Sequence, residues 1–168
     1  MTSLFVLGGA RSGKSRYAQA RVEAHPGALA YIATAQAFDD EMTHRIARHQ
    51  DDRGSRWTTL EEPLDLAAAI ERAGAEAGAI LVDCLTLWLS NLMLAEMPLD
   101  DPVAALGQAI RRCPVPLVLV SNEVGLSIVP ENPLARAFRD EAGRLNQTVA
   151  ALVDEVQFVA AGLPLKLK

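Results

Sequence analysis

The run Leu4-Phe5-Val6-Leu7-Gly8-Gly9-Ala10-Arg11-Ser12-Gly13-Lys14-Ser15 decides the fold class. Its apolar start is a short buried strand, and Tyr17–His25 beyond it reads as a helix. Between them, Gly8–Ser15 matches G-x-x-x-x-G-K-[ST] at every fixed position, in the strand-to-helix context the pattern requires. Glycines let successive backbone N–H groups curl around an anion, and the helix start adds the positive end of its dipole. Lys14 is placed to reach the β- and γ-phosphates of a nucleoside triphosphate, and the Ser15 hydroxyl to bind Mg2+. A glycine turn without a ligand is the alternative. The lysines argue against it, because between Met1 and Leu165 the chain has no other, although arginine is abundant. An ammonium is a compact point charge and a guanidinium a wide fork, so a narrow site keeps the lysine.

Working outward, the apolar runs at 28–34, 79–86 and 115–124 read as strands, 56–61 as a short one, and 155–162 and 163–167 as closing strands. Helices are expected at 38–50, 64–78, 87–94, 101–113 and 131–153. In the last of these, Asn132 can cap, Pro133 sits in the first turn, and Leu134, Phe138, Leu145, Val149 and Leu152 form the core stripe. Strands alternate with helices, and several strands are continuous apolar runs, so the sheet is covered on both faces. The expectation is a three-layer α/β domain with a mainly parallel sheet, residues 1–168 forming one unit.

The 168 residues, half of them hydrophobic, suit one core. A net charge of −5 gives no general attraction to nucleic acid or anionic membrane, so an anionic ligand must meet local positive groups. No apolar run approaches the ~20 residues of a membrane span. No basic segment precedes the first apolar run, so a cytoplasmic protein is expected, with Cys84 and Cys113 as reduced core thiols.

Asp83 closes the apolar run Ala79–Val82, the place where a nucleotide-binding strand carries a carboxylate for the metal. The alternative is a cap for the next helix. A regulatory GTPase would show N-K-x-D after a later strand; here that place reads Ser121-Asn122-Glu123-Val124, and a small-molecule kinase fits better. Arg45, Arg48, His49, Arg53 and Arg56 form a cluster. Met42, Ile46 and His49 share a helical stripe, which turns the imidazole partly inward, where a neutral ring could attack phosphorus among arginines. A half-buried histidine on a charged helix is the alternative. Arg136 and Arg139 have the same ambiguity between a solvated face, a phosphate contact and a neighbouring subunit. The Asp51–Ser55 stretch is the expected mobile loop.

The blocks GGARSGKSRYAQ, YIATAQAFDDEMTHRIARHQDDR, VDCLTLWLSNL, NEVGLSIVPENPLARAFRDEAGRLNQ and GLPLKLK occur in this order over nearly the whole chain. Together they resemble the bifunctional adenosylcobinamide kinase / adenosylcobinamide-phosphate guanylyltransferase family of cobalamin synthesis. The resemblance implies a P-loop NTPase (RecA-like) fold. It implies phosphorylation of adenosylcobinamide by a nucleoside triphosphate, ATP or GTP, then transfer of GMP from GTP to adenosylcobinamide phosphate through a GMP-histidine. A P-loop kinase of another small alcohol is the alternative. The family's R-I-x-x-H places the nucleophile on His49. Its nucleotide contacts fall on Gly8–Ser15, on Ala33, Thr34 and Ala35, on Gln50, Asp51, Asp52 and Arg53, and on Glu61 and Asp83, with Mg2+ on Ser15 and Asp83. The family is described as a trimer with active sites between subunits, which offers Arg136 and Arg139 an interfacial role. Ser127 stands where the family usually has glycine; a positive φ there would cost about 1 kcal/mol.

Overall fold

A computed structural model describes residues 2–35 and 54–168. Its strands are β1 (Ser3–Gly8), β2 (Leu29–Ala33), β3 (Trp57–Glu61), β4 (Ala79–Asp83), β5 (Leu117–Asn122), β6 (Glu155–Ala160) and β7 (Leu163–Lys166). Its helices are α1 (Lys14–Glu23), α2 (Leu66–Glu76), α3 (Leu85–Leu94), α4 (Asp100–Arg112) and α5 (Pro133–Leu152). They form one sheet in the order β3-β2-β4-β5-β1-β6-β7, parallel throughout except for the antiparallel β6–β7 pair.

Alternation along the strands divides the core. Leu4 and Val6 of β1, Leu29 of β2, Leu81 of β4 and Val118 and Val120 of β5 point to one face, where α1 covers them with Ala18 and Val22. Phe5, Leu7, Ile32, Val82 and Leu119 point to the other, against α2, α3, α4 and α5. Strands buried on both sides must be apolar at every position, which is why they appear in the sequence as unbroken runs. The three-layer, mainly parallel α/β expectation therefore holds, as do the two closing strands, which the structure pairs antiparallel.

Three local expectations change. Helix α1 begins at Lys14 rather than Tyr17, so the lysine and Ser15 belong to its first turn. The run expected as a strand over 79–86 stops at Asp83, and Leu85 already opens α3. Leu134 is 57% exposed rather than part of a core stripe. The 20 residues of α5 span ~30 Å, whereas a six-residue strand covers ~20 Å, so the amino end of this helix overhangs the sheet. Asn132 does cap α5: its Oδ1 accepts the N–H groups of Leu134 and Ala135. Ser127 has no positive φ, and its hydroxyl donates to the Val124 carbonyl, so the strain considered for it is absent. The helix expected over 38–50 lies outside the described residues.

Candidate nucleotide site

The phosphate-loop sequence joins β1 to α1 at the carboxyl edge of the sheet. Gly13 stands at the helix cap position with φ 92°, a left-handed conformation that favours glycine, and no side chain among the described residues caps the helix. The first helical hydrogen bond runs from the Tyr17 N–H to the Gly13 carbonyl at 3.0 Å. The N–H groups of Lys14, Ser15 and Arg16 precede it and have no acceptor within the helix. Gly8 is fixed by close approach, because a Cβ there would lie 2.5 Å from the Val159 carbonyl oxygen and 2.6 Å from Ser12 Oγ.

Lys14 is buried, and its ammonium donates to the Gly9 carbonyl at 3.1 Å. Among the described residues no carboxylate pairs with it. A buried cation beside bare amides, held only by a neutral oxygen, is an incomplete electrostatic arrangement that an anion completes. Clefts of about 480 and 620 Å3 lie at the amino edge of the sheet and between α4 and α5.

Strand parity aims the other candidates. Ala33 pairs with both Glu61 and Asp83, so these three side chains share the face that α1 covers. In the sheet β5 runs between β4 and β1, and α1 packs across both β5 and β4. The half-buried Asp83 carboxylate accepts no hydrogen bond from the described residues, nor does Ser15 use its hydroxyl among them. Glu61 is exposed at the end of β3. Thr34 is fully buried: its hydroxyl donates to the Cys84 carbonyl at 2.7 Å and accepts the Cys84 N–H at 2.9 Å. Its N–H donates to the Asp83 carbonyl, and its own carbonyl accepts from Asn91 Nδ2. Thr34 thus fastens the end of β2 to the Asp83–Cys84 corner. Ala35 follows it at the same edge. His49, Gln50, Asp51, Asp52 and Arg53 lie outside the described residues, as do Arg45 and Arg48.

Further contacts at this edge are not visible in the sequence. The Glu123 N–H donates to the Gly8 carbonyl, and its carboxylate accepts the Gly125 N–H at 2.7 Å. Arg139 donates to the Gly125 carbonyl and Arg136 to those of Pro130 and Glu131. Both arginines therefore brace the segment that follows β5. Next to it, a buried ring of hydrogen bonds closes on itself. The Asn122 N–H donates to Thr86 Oγ1, which lies 3.1 Å from Ser121 Oγ. Ser121 donates to Asn146 Oδ1, and Asn146 Nδ2 returns to the Asn122 carbonyl. The only trace of this in the sequence is polar residues set in otherwise apolar elements. Of the thiols, Cys84 is buried and its pKa is pushed up to about 11 by that burial and by Asp83. Cys113 is half-buried, and burial raises its thiol too.

A family model described as cobinamide kinase / cobinamide phosphate guanyltransferase matches residues 4–167. The chain belongs to this family. It is 53% identical over 167 residues to the bifunctional adenosylcobalamin biosynthesis protein CobP of Pseudomonas aeruginosa, covering 97% of this chain and 95% of that protein. It is 46% identical to the bifunctional adenosylcobalamin biosynthesis protein CobU of Salmonella typhimurium and 40% identical to that of Escherichia coli, over 98% of this chain and 99% of each relative. The fold of the cobinamide kinase / guanyltransferase family is of the P-loop NTPase kind, and its substrates include nucleotides. Among the described residues no helix is long and apolar enough to cross a membrane.

Proposed function

We propose that this chain phosphorylates the aminopropanol hydroxyl of adenosylcobinamide with ATP or GTP, then transfers GMP from GTP to the new phosphate, giving adenosyl-GDP-cobinamide. Family membership supports the pair of activities. The observation that carries the nucleotide half is the uncapped start of α1 with Lys14 buried beside it. In the kinase step the acceptor oxygen attacks the γ-phosphorus and the bond to the β–γ bridging oxygen breaks. The nucleoside diphosphate leaves, and the hydroxyl proton is released. Lys14 and the amides of Gly8–Ser15 hold the phosphate oxygens and offset the charge that grows on the leaving group.

Ser15 and Asp83 suit Mg2+, a hard cation that takes one or two protein oxygens and fills its remaining positions with phosphate and water. Both present oxygens that no described residue engages, on the α1 side of the sheet. When bound, the ion neutralises phosphate charge.

For guanylyl transfer we assign the nucleophile to His49, on the strength of the R-I-x-x-H pattern and the neighbouring arginines. The neutral ring nitrogen attacks the α-phosphorus of GTP, an N–P bond forms, and pyrophosphate leaves with the electron pair. A phosphate oxygen of the corrinoid then attacks the same phosphorus, the N–P bond breaks, and the imidazole is restored. Ala33, Thr34, Ala35, Gln50, Asp51, Asp52, Arg53 and Glu61 are assigned to nucleotide contacts. Thr34 in this role acts by placing its neighbours, since its own polar groups are engaged. We assign residues 1–168 to one catalytic domain of a cytoplasmic homotrimer. Leu126, Ile128 and Val129, each mostly exposed, supply apolar surface that association would cover.

Incubation with α-labelled GTP tests the assignment. An acid-labile, alkali-stable label on the protein, absent from His49→Ala, is expected. Undiminished label in that variant would remove His49 from the role.

A further inference from the structure

The hairpin that joins β6 to β7 touches the phosphate loop from behind. Ala160 pairs with Leu163, leaving a two-residue turn of Ala161 (φ 52°) and Gly162 (φ 79°), the positive-φ geometry of a tight hairpin. The Gly162 N–H donates to the Ser12 carbonyl at 2.8 Å. Gly13 fits so closely over this turn that a Cβ on it would lie 3.1 Å from the Gly162 Cα. Val159, on the same hairpin, presses its carbonyl against Gly8. Ser12 Oγ is buried without a partner among the described residues, where the Ser12 carbonyl is the residue's one polar anchor toward the hairpin.

The peptide between Ser12 and Gly13 is planar and trans, so its C=O and N–H point in opposite directions. Holding the Ser12 oxygen toward Gly162 therefore turns the Gly13 N–H away from the hairpin, next in the chain to the free amides of α1. We propose that the Gly162 N–H is a positioning group of the nucleotide site: it sets the direction of the Gly13 amide and keeps it aimed at phosphate before any nucleotide arrives. Gly162 touches no substrate. The inference rests on the nucleotide site proposed above and adds the hairpin turn, some 150 residues away in sequence, to its construction.

The test replaces the amide at position 162 by an ester, which removes the donor while keeping glycine's conformational freedom. Residues 160–168 are supplied synthetically to the rest of the chain through Ala160→Cys, an exposed position; the control carries the same junction and the normal amide. Nucleotide Kd, KM for the triphosphate and for the corrinoid, and thermal stability are measured on both. The ester is expected to weaken nucleotide binding about fivefold, near the net value of one hydrogen bond, and to raise the triphosphate KM while leaving the corrinoid KM alone. An ester protein that loses stability yet binds nucleotide as the control does would overturn the proposal and reduce Gly162 to a structural turn. A control protein that binds no nucleotide would sink the site reading itself, and this inference with it.

Discussion

The ammonium of Lys14 lies 3.1 Å from the carbonyl oxygen of Gly9, within its own loop. That contact closes the cradle on itself, and a triphosphate must draw the ammonium toward its own oxygens. Lys14→Ala is expected to lower kcat/KM on the order of 10²-fold or more in both steps if one loop serves both. Lys14→Arg should not rescue, because the fork does not fit where the ammonium does. Rates of both half-reactions measured on folded variants check this; a guanylylation rate left intact would mean a second nucleotide site.

Thr34→Val keeps the shape of a fully buried residue and removes the hydroxyl that serves both backbone groups of Cys84. The Cys84 N–H and carbonyl then lose a partner in a site closed to water. A loss of roughly 2–3 kcal/mol in stability is expected, read by urea denaturation. Both activities should also fall, because the same corner carries Asp83.

Ser121→Ala opens the buried ring at the end of β5. It leaves Asn146 Oδ1 without its donor and should cost about 1–3 kcal/mol. Asn146→Leu removes the amide's polar groups from the ring as well, so the double variant should be less destabilised than the sum of the two singles. Chemical denaturation of the four proteins measures that difference.

Arg21 grips Glu155 with two nearly parallel hydrogen bonds, at 2.8 and 3.0 Å, from α1 to β6. Its guanidinium, then the amide of Gln157, holds the Glu155 carboxyl at about 2, below an ordinary value near 4.5. The folded state therefore favours the ionised form. That contribution is complete above pH 4.5 and drains away as the pH falls toward 2. Since the arginine side is open to solvent, Glu155→Gln should cost only about 1 kcal/mol at neutral pH. The variant's stability should be flatter than the parent's between pH 4.5 and 2, which denaturation curves at several pH values will show.

The sequence states plainly what is repeated along a strand or confined to a loop. Unbroken apolar runs such as Leu4–Leu7 and Ile80–Val82 follow from burial on both faces, and Gly8–Ser15 carries its chemistry within eight residues. It is silent where the cause is distant. Cys84, Leu85 and Thr86 look like more strand, because apolar and β-branched residues suit either structure, yet the chain turns into α3 there. Nothing local in Thr34 tells that its hydroxyl belongs to Cys84, or in Arg139 that it braces Gly125. Strand order is likewise hidden: that β5 separates β4 from β1 depends on how whole elements pack.

Strand β1 is made first but sits between β5 and β6, which are made late. On the ribosome it has neither neighbour until more than a hundred further residues have been added, and Gly162, which backs the Ser12 carbonyl, is added later still. The nascent chain must therefore carry this apolar segment unpaired while those residues are made, a stretch on which chaperones would act. Competence to hold a ligand waits for the β6–β7 turn, even though the residues that grip it are made long before.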